Sequence, residues 1–352
     1  HPSARRSPQR DAAPIVQPEL VRTTVVAHEE VQMDMLGVPS MIAAVASVPN
    51  VTLTQGTAGA RVRMPVMAYG TAELKGSAAT SAVALAVAAG MRHVHTAFDY
   101  YNLAEVGAAL ANEPRTSVFV TSMTSPCVHA APPSRNVTDP EACFNLTLFE
   151  AQHAISQLKV GYLDLLLLHG PSERFGHTGP CNPLACLLNA AQWRAYDTLL
   201  SSGAVRAIGV SNFCVSCMEC LAASGNNMAR PAVNQIQMHV GMGADPGGLL
   251  SYCTSRQIVV QAYEPLAGGE IVTDALCKSV GAAHNRSAAQ VGLRWVLQRA
   301  PSLAVRAGSE AHLLEDLDAW SWALSGEDVA RLDAATQPKG EAGGRCSWGC
   351  TE

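Results

Sequence analysis

Charged and aromatic side chains are scarce in this sequence. Asp, Glu, Lys and Arg make up 15% of the 352 residues and Phe, Trp and Tyr 5%, whereas hydrophobic residues reach 48%. Such a composition can fill a large core, mainly with alanine, valine and leucine. The formal net charge of −5 at pH 7 gives no electrostatic argument for binding nucleic acid or an anionic membrane surface.

Long apolar runs are also lacking. The run MIAAVASV, residues 41–48, is far too short to cross a bilayer, which takes about 20 consecutive apolar residues. We therefore expect no membrane span. Because the first residue is His1 rather than methionine, we expect that a segment has been removed, either a signal or transit peptide or residues trimmed for another reason.

The eleven cysteines lack the CxxC…CxxC layout of a structural zinc site. Cys214, Cys217 and Cys220 follow at intervals of three, as on one face of a helix, and there we expect packing rather than metal binding. Other cysteines form close pairs in loop-like sequence, which indicates disulfides of undetermined connectivity. These pairs are Cys127 and Cys143, Cys181 and Cys186, and Cys346 and Cys350.

Four Asn-x-Ser/Thr sequons occur, whereas composition alone would give roughly one or two. Together with the loop cysteines they favour an oxidising secretory compartment, with glycans and disulfides. The alternatives are an organelle lumen after removal of a transit peptide, or a reduced cytoplasmic protein with chance sequons. The sequon asparagines are Asn50, Asn136, Asn145 and Asn285.

The composition divides the chain into three parts. Residues 1–48 form an N-terminal extension that begins HPSARRSPQRDAAP, a stretch rich in proline, arginine and serine. We expect it to be partly disordered or packed on the main domain. Residues 49–337 form the main domain, and residues 338–352 a short loop tail.

Strand-like and helix-like segments alternate about eight times in the main domain. Apolar strands such as RHVHTA and YLDLLLLHG precede helix-like runs, and a hairpin-like segment comes before them all. This order predicts a closed parallel (β/α)8 barrel, the TIM barrel, with helices outside. Its active site would lie at the carboxyl ends of the strands. We expect the following polar residues at this end of the barrel: those of the segment 95–101, and His169, Ser211, Asn212, Gln235, Tyr263 and Arg306.

Eight segments in order, spread over residues 51–333, resemble the aldo-keto reductase family. One such motif would be weak, but eight in the family's order also predict an aldo-keto reductase type of barrel. The segments are MPVMAYGT, GMRHVHTAFDYYNLAEVG, YLDLLLLHGP, GAVRAIGVSNF, PAVNQIQMHV, IVVQAYEPLAGG, SAAQVGLRWVLQR and ALSGEDVARLD.

The resemblance implies NADPH-dependent reduction of aldehydes and ketones by four residues. In the family a tyrosine donates the proton, a lysine held by an aspartate lowers that tyrosine's pKa, and a histidine orients the carbonyl. Tyr100 matches the tyrosine and His169 the histidine. The aspartate position holds His95 and the lysine position Met123. Since a free phenol has a pKa of about 10, we expect reduced activity.

His95 has two interpretations. It is either a partner of Tyr100 that partly replaces the lysine, or a neutral histidine that fills the aspartate's volume. We expect Met123 to be packing only. Asp99 is either a new carboxylate at the barrel mouth or, as we expect, a residue that faces solvent or caps a turn. His93, His95 and His169 could together form a metal site, but we expect them instead to be buried histidines with hydrogen-bond partners.

The cofactor positions are also partly retained. By resemblance, Ser211, Asn212 and Gln235 bind the nicotinamide carboxamide and Tyr263 stacks on its ring. Glu264 replaces a serine near the pyrophosphate, which puts an acid beside a polyanion.

The adenosine-phosphate loop departs further from the family pattern. Arg306 replaces a lysine and could still bind phosphate, but Ala307, His312 and Asp316 replace a serine, an arginine and an asparagine. We therefore expect weakened NADPH affinity and an uncertain preference for its 2′-phosphate.

Three functions remain open at this point. The first is an NAD(P)(H)-dependent reductase of small carbonyl compounds with Tyr100 as acid. The second is a non-catalytic barrel, a pseudoenzyme that binds a protein partner or serves as a structural subunit. The third is non-redox acid/base chemistry through His95, Asp99 and Tyr100.

Overall fold

The computed structural model describes residues 48–55, 60–129, 134–172, 181–225 and 228–338. The N-terminal extension, apart from Val48, and the tail after Pro338 lie outside these residues, as do Cys346 and Cys350. The three-part division of the chain therefore stays a prediction.

Eight parallel strands close into a barrel in the order β10-β11-β12-β3-β4-β5-β8-β9, which confirms the predicted (β/α)8 TIM fold. Two antiparallel hairpins, β1-β2 and β6-β7, lie outside the barrel sheet. The strands are β1 (Asn50–Gln55), β2 (Ala60–Pro65), β3 (Met67–Gly70), β4 (His93–His95), β5 (Phe119–Thr124), β6 (Val128–His129), β7 (Arg135–Asn136), β8 (Leu165–Leu168), β9 (Ile208–Ser211), β10 (Val233–Gln237), β11 (Val259–Tyr263) and β12 (Ser302–Val305).

Helices follow the barrel strands, as the alternating pattern predicts. No helix within the described ranges has both the length and the hydropathy needed to cross a membrane. The helices are α1 (Gly76–Ala88), α2 (Leu103–Leu110), α3 (Pro140–Leu158), α4 (Pro183–Ser201), α5 (Val215–Ala223), α6 (Leu249–Ser255), α7 (Glu270–Thr273), α8 (Ala275–His284), α9 (Ala288–Arg299), α10 (Glu310–Leu317) and α11 (Gly326–Asp333).

The leucine run of β8 shows why a strand of this barrel can be apolar throughout. All four of its residues are fully buried, because a parallel barrel covers both faces of each strand. Leu165 and Leu167 belong to one apolar cluster, whereas Leu166 and Leu168 belong to the larger cluster that includes helix residues. Alternating side chains of a strand thus fill the barrel interior and the layer under the helices.

The β1-β2 hairpin covers the amino-terminal end of the barrel strands. Gln55 Oε1 accepts a hydrogen bond from the backbone N–H of Ile208, the first residue of β9, at 2.9 Å. Leu53 and Met64 are fully buried and belong to the same apolar cluster as Leu165 and Leu167. The opposite, carboxyl end is left for the functional site.

Disulfides connect loops and helices around the barrel. Cys127 pairs with Cys143, as their proximity in the sequence indicates. Cys181 and Cys186, by contrast, are not bonded to each other. They pair with Cys217 and Cys220 of α5. Cys217 is fully buried in the larger apolar cluster, as expected, and both cysteines of α5 also form crosslinks to the segment that begins α4.

Candidate active site

The segment after β4 is held in place by a buried asparagine. Asn102 donates through Nδ2 to the carbonyls of Thr71 at 2.8 Å and Leu74 at 3.0 Å, and it accepts from Thr96 Oγ1 at 2.9 Å. Between Thr96 and Asn102 the chain forms a short 3-10 turn, Phe98–Tyr100. This turn carries two of the polar candidates to the carboxyl end of the barrel.

Asp99 is hydrogen-bonded to His169. Both carboxylate oxygens lie 2.9 Å from His169 Nδ1, and the two side chains are 21% and 13% exposed. Burial raises the pKa of Asp99, but the charge and hydrogen bond of His169 outweigh it, and the net pKa lies below the usual value. The expectation that Asp99 faces solvent or caps a turn is wrong. In the sequence, the signal for this contact is the position of Asp99 next to Tyr100 in TAFDYY.

Tyr100 lies against the same histidine. Its ring meets that of His169 edge to face, with centroids 5.6 Å apart and an interplanar angle of 78°. Burial raises the pKa of Tyr100 above its usual value, and the charges of Asp99, Glu264 and Glu73 raise it further. The phenol therefore keeps its proton at neutral pH, and these carboxylates make it a weaker acid.

Met123 is the residue that the resemblance matches to the family's lysine. It is 1% exposed and belongs to an apolar cluster with Phe119 and Leu167, against which Tyr100 also packs. A thioether in this cluster supplies volume and no charge. Met123 therefore cannot lower the pKa of Tyr100 as a lysine at this position would.

His95 points into the barrel interior. Its Nε2 accepts a hydrogen bond from Gln235 Nε2 at 2.9 Å, and Gln235 Nε2 also donates to Gln261 Oε1 at 2.7 Å. Burial, and then the neighbouring His93 and His169, lower the pKa of His95 to about 3, so this ring is neutral at neutral pH. Among the described hydrogen bonds, none joins His95 to Tyr100.

His93 lies two residues before His95 on the same strand and is equally buried. Its Nε2 contacts Thr121 Oγ1 at 2.8 Å and its Nδ1 the carbonyl of Pro65 at 3.1 Å. Burial lowers its pKa to about 4. In the part of the chain that the structure describes, the three histidines do not gather into a group that could hold a metal ion.

The residues matched to the nicotinamide form one hydrogen-bonded group with His169. Asn212, with φ of 61°, donates through Nδ2 to the carbonyl of His169 at 2.9 Å and accepts from Tyr263 Oη at 2.8 Å. Ser211 Oγ donates to the carbonyl of Gln235 at 3.1 Å. Asparagine tolerates this left-handed backbone better than most residues. Amide and hydroxyl groups beside an aromatic ring suit a nicotinamide, so this half of the site fits the cofactor.

The phosphate half of the site fits less well. Arg306 donates to Glu73 Oε2 at 2.9 Å and to the carbonyl of Ala72. Arg306 and Glu73 both line an open groove of about 680 Å³. Glu264 is exposed and accepts from Gln237 Nε2 at 2.7 Å. Sequence reasoning missed Glu73, and a polyanion would have to compete with it for the guanidinium.

Comparison with known proteins gives the family of this chain and some of its relatives. Residues 66–337 match the family described as Aldo/keto reductase family. The chain is 30% identical over 277 residues to the glyoxal reductase of Bacillus subtilis, covering 78% of this chain and 89% of that protein. It is also 30% identical over 314 residues to NADPH-dependent codeinone reductase 1-4 of Papaver somniferum, covering 83% and 91%.

Solved structures agree. An aldo/keto reductase from Brucella melitensis superposes with a TM-score of 0.67 at 27% identity, covering 82% of this chain and 99% of that one. The family match spans well over half of the sequence, and the motifs that carry it surround the site described above. This chain therefore belongs to the aldo/keto reductase family.

Proposed function

We propose that this protein is an NAD(P)H-dependent oxidoreductase that reduces small carbonyl compounds, with a slower proton transfer than a complete tetrad would give. The observation that carries the proposal is the position of Asn212. Its side chain joins Tyr263, at 2.8 Å, to the backbone of His169, at 2.9 Å. The nicotinamide positions and the carbonyl position are thereby held in one rigid group.

Each residue then has a defined task. Ser211, Asn212 and Gln235 would hold the carboxamide, and Tyr263 would pack on the ring. When bound, the reduced nicotinamide supplies the hydride. A carbonyl oxygen at the barrel mouth would accept hydrogen bonds from the Tyr100 hydroxyl and from His169, which polarises the carbonyl. NADPH-dependent relatives, such as the codeinone reductase, make NADPH the first cofactor to test.

Direct cofactor binding tests this function. The purified protein is titrated with NADPH and with NADH while quenching of tryptophan fluorescence is followed. We expect both to bind, with little preference for NADPH because Glu73 already pairs with Arg306. Tyr263→Ala should weaken binding of both. An absence of binding for either cofactor up to millimolar concentration would contradict the proposal.

The environment of Met123 favours a second candidate, a non-catalytic barrel that serves as a binding partner of another protein. Met123 is packed among apolar groups and His95 is neutral, so neither restores the lost lysine–aspartate coupling. This candidate predicts no carbonyl reduction with any common aldehyde. Turnover of NADPH with a small aldehyde, abolished by His169→Ala, would contradict it.

We further propose that the chain matures in the secretory pathway as a glycoprotein. All four sequon asparagines are exposed. The described cysteines form three disulfides, which persist mainly in oxidising compartments. Native material should lose mass on treatment with an N-glycosidase. An unchanged mass, together with reduced thiols at these six cysteines, would refute this proposal.

A further inference from the structure

We propose that His169 delivers the proton during carbonyl reduction and that Asp99 is the residue that positions it. This inference rests on the proposed reductase function. It assigns to a carboxylate–imidazole pair the task that the family gives to a tyrosine beside a lysine.

The geometry of the pair carries the proposal. Both oxygens of Asp99 lie 2.9 Å from Nδ1, so this nitrogen carries a proton and faces the carboxylate. Proton delivery must then use the other ring nitrogen, Nε2. His169 follows the end of β8, and its side chain remains partly accessible at the barrel mouth. Asn212 binds the backbone carbonyl of His169 and Asp99 binds its ring, so both the backbone and the side chain of this residue are held.

The same carboxylate has opposite effects on the two possible donors. A negative charge beside a phenol disfavours phenolate, and Asp99 is among the groups that raise the pKa of Tyr100. A negative charge beside an imidazole favours imidazolium, the form that can give up a proton. Asp99 therefore makes Tyr100 a poorer acid and supplies His169 with a counter-charge.

Among the described residues, other titratable groups lie around the pair on several elements. His95 of β4 is neutral at neutral pH. Glu150 of α3 is buried and bonded to Arg135 of β7 at 2.5 Å, which balances its charge. His129 of β6 lowers the pKa of Asp99 further. Tyr100, in the 3-10 turn, contacts the His169 ring as a protonated phenol.

The proton balance of the step is complete. A reduced nicotinamide held by Ser211, Asn212, Gln235 and Tyr263 would supply the hydride to the carbonyl carbon and be oxidised in doing so. The carbonyl oxygen gains the proton as the Nε2–H bond of His169 breaks. The imidazolium becomes a neutral imidazole, Asp99 stays a carboxylate, and His169 regains a proton from water before the next turnover. Tyr100 donates a hydrogen bond to the same oxygen and keeps its proton.

Asp99→Asn separates the positioning role from a merely structural one. We expect cofactor affinity and KM to stay within about threefold of wild type. The kcat should fall by roughly 10²-fold, a usual contribution of a general acid. The pH at which activity falls on the alkaline side should move downward, because the imidazolium loses its counter-charge. Asp99→Glu should recover part of the rate, and Glu327→Gln, which removes an exposed carboxylate of α11, should change nothing.

A measurement without cofactor completes the test. Nitrogen-15 NMR of the histidine side chains, assigned with His169→Ala, should show a proton on Nδ1 of His169 and lose that signature in Asp99→Asn. Tyr100→Phe should cost less activity than Asp99→Asn. If wild type binds no NAD(P)H, this inference and the proposed function both fail. If wild type reduces aldehydes while Asp99→Asn keeps its kcat, pH profile and NMR spectrum, only the present inference is overturned.

Discussion

His95 Nε2 accepts a hydrogen bond from Gln235 Nε2 at 2.9 Å across the interior of the barrel. The residue that the resemblance matches to the family's lysine-binding aspartate is thus hydrogen-bonded to a residue matched to the nicotinamide. Since Nε2 accepts, the ring proton resides on Nδ1. The consequences of this arrangement can be measured.

Restoring both lost tetrad residues should raise reductase activity. In Met123→Lys with His95→Asp, the carboxylate would hold an ammonium beside Tyr100 and lower the pKa of its phenol. We expect kcat for a small aldehyde to rise by roughly 10²-fold or more, measured by NADPH oxidation. Met123→Leu is the control and should leave activity unchanged. Met123→Lys alone should lower stability by about 3 kcal/mol or more, because it buries an unpaired charge. No gain from the double variant would mean that the surrounding pocket has also changed.

Acid should destabilise the fold through the two buried histidines. Burial lowers the pKa of His93 to about 4 and that of His95 to about 3, below the usual value of about 6.5. The folded state therefore takes up protons less readily than the unfolded state, and stability is full above about pH 6.5 and falls toward pH 3–4. The slope should reach at most about 1.4 kcal/mol per pH unit for each histidine. Urea unfolding at pH 7, 5.5 and 4.5 measures how the free energy of unfolding depends on pH. This dependence should be weaker in His95→Gln.

Gly107→Ala should destabilise the contact between α2 and α3. A Cβ at this position would lie 2.7 Å from the carbonyl oxygen of Leu158 and 2.8 Å from that of Gln157. These are backbone atoms, so the helices must move apart, at a cost of about 1–3 kcal/mol. Gly326→Ala in α11, where a Cβ meets nothing within 4 Å, is the matched control and should be neutral or stabilising. Equal melting temperatures for the two variants would contradict so close an approach of the two helices.

Removing the Cys127–Cys143 disulfide should lower the free energy of unfolding. The bond closes a segment with a sequence separation of 16, for which loop-closure entropy corresponds to about 3 kcal/mol. Guanidinium unfolding of Cys127→Ala with Cys143→Ala gives the value. Cys277→Ala, which removes a buried thiol outside the described disulfides, corrects for lost packing. A peptide map that finds thiols at both positions in native protein would count against the bond.

Glu264→Gln should tighten the binding of NADPH. The exposed carboxylate lies next to Tyr263, where the resemblance places the pyrophosphate, and its removal ends a repulsion worth about 1 kcal/mol, or about fivefold in Kd. The gain should shrink at high salt because solvent ions screen the charge. Arg306→Ala should act in the opposite direction. Fluorescence titrations at two ionic strengths measure both, and a Glu264→Gln variant with unchanged Kd at low salt would refute the assignment.

The sequence by itself determined the barrel and the positions of most of the candidate site. Alternating apolar strands and amphipathic segments can bury both faces of a parallel sheet only when helices cover it, and strand ends in such a sheet converge. For this reason His169, Ser211 and Tyr263 could be placed at one end of the barrel from their position after strand-like runs.

Only the tertiary structure decided which side chains meet. Asp99 and His169 are separated by 70 residues, His95 and Gln235 by 140, and Cys181 pairs with a cysteine 36 residues away rather than with Cys186. Local patterns report which face of a strand or helix is buried. They do not report which distant groups the closed barrel brings within about 3 Å, the reach of a hydrogen bond, and at this site that distance decides which group can hold the proton.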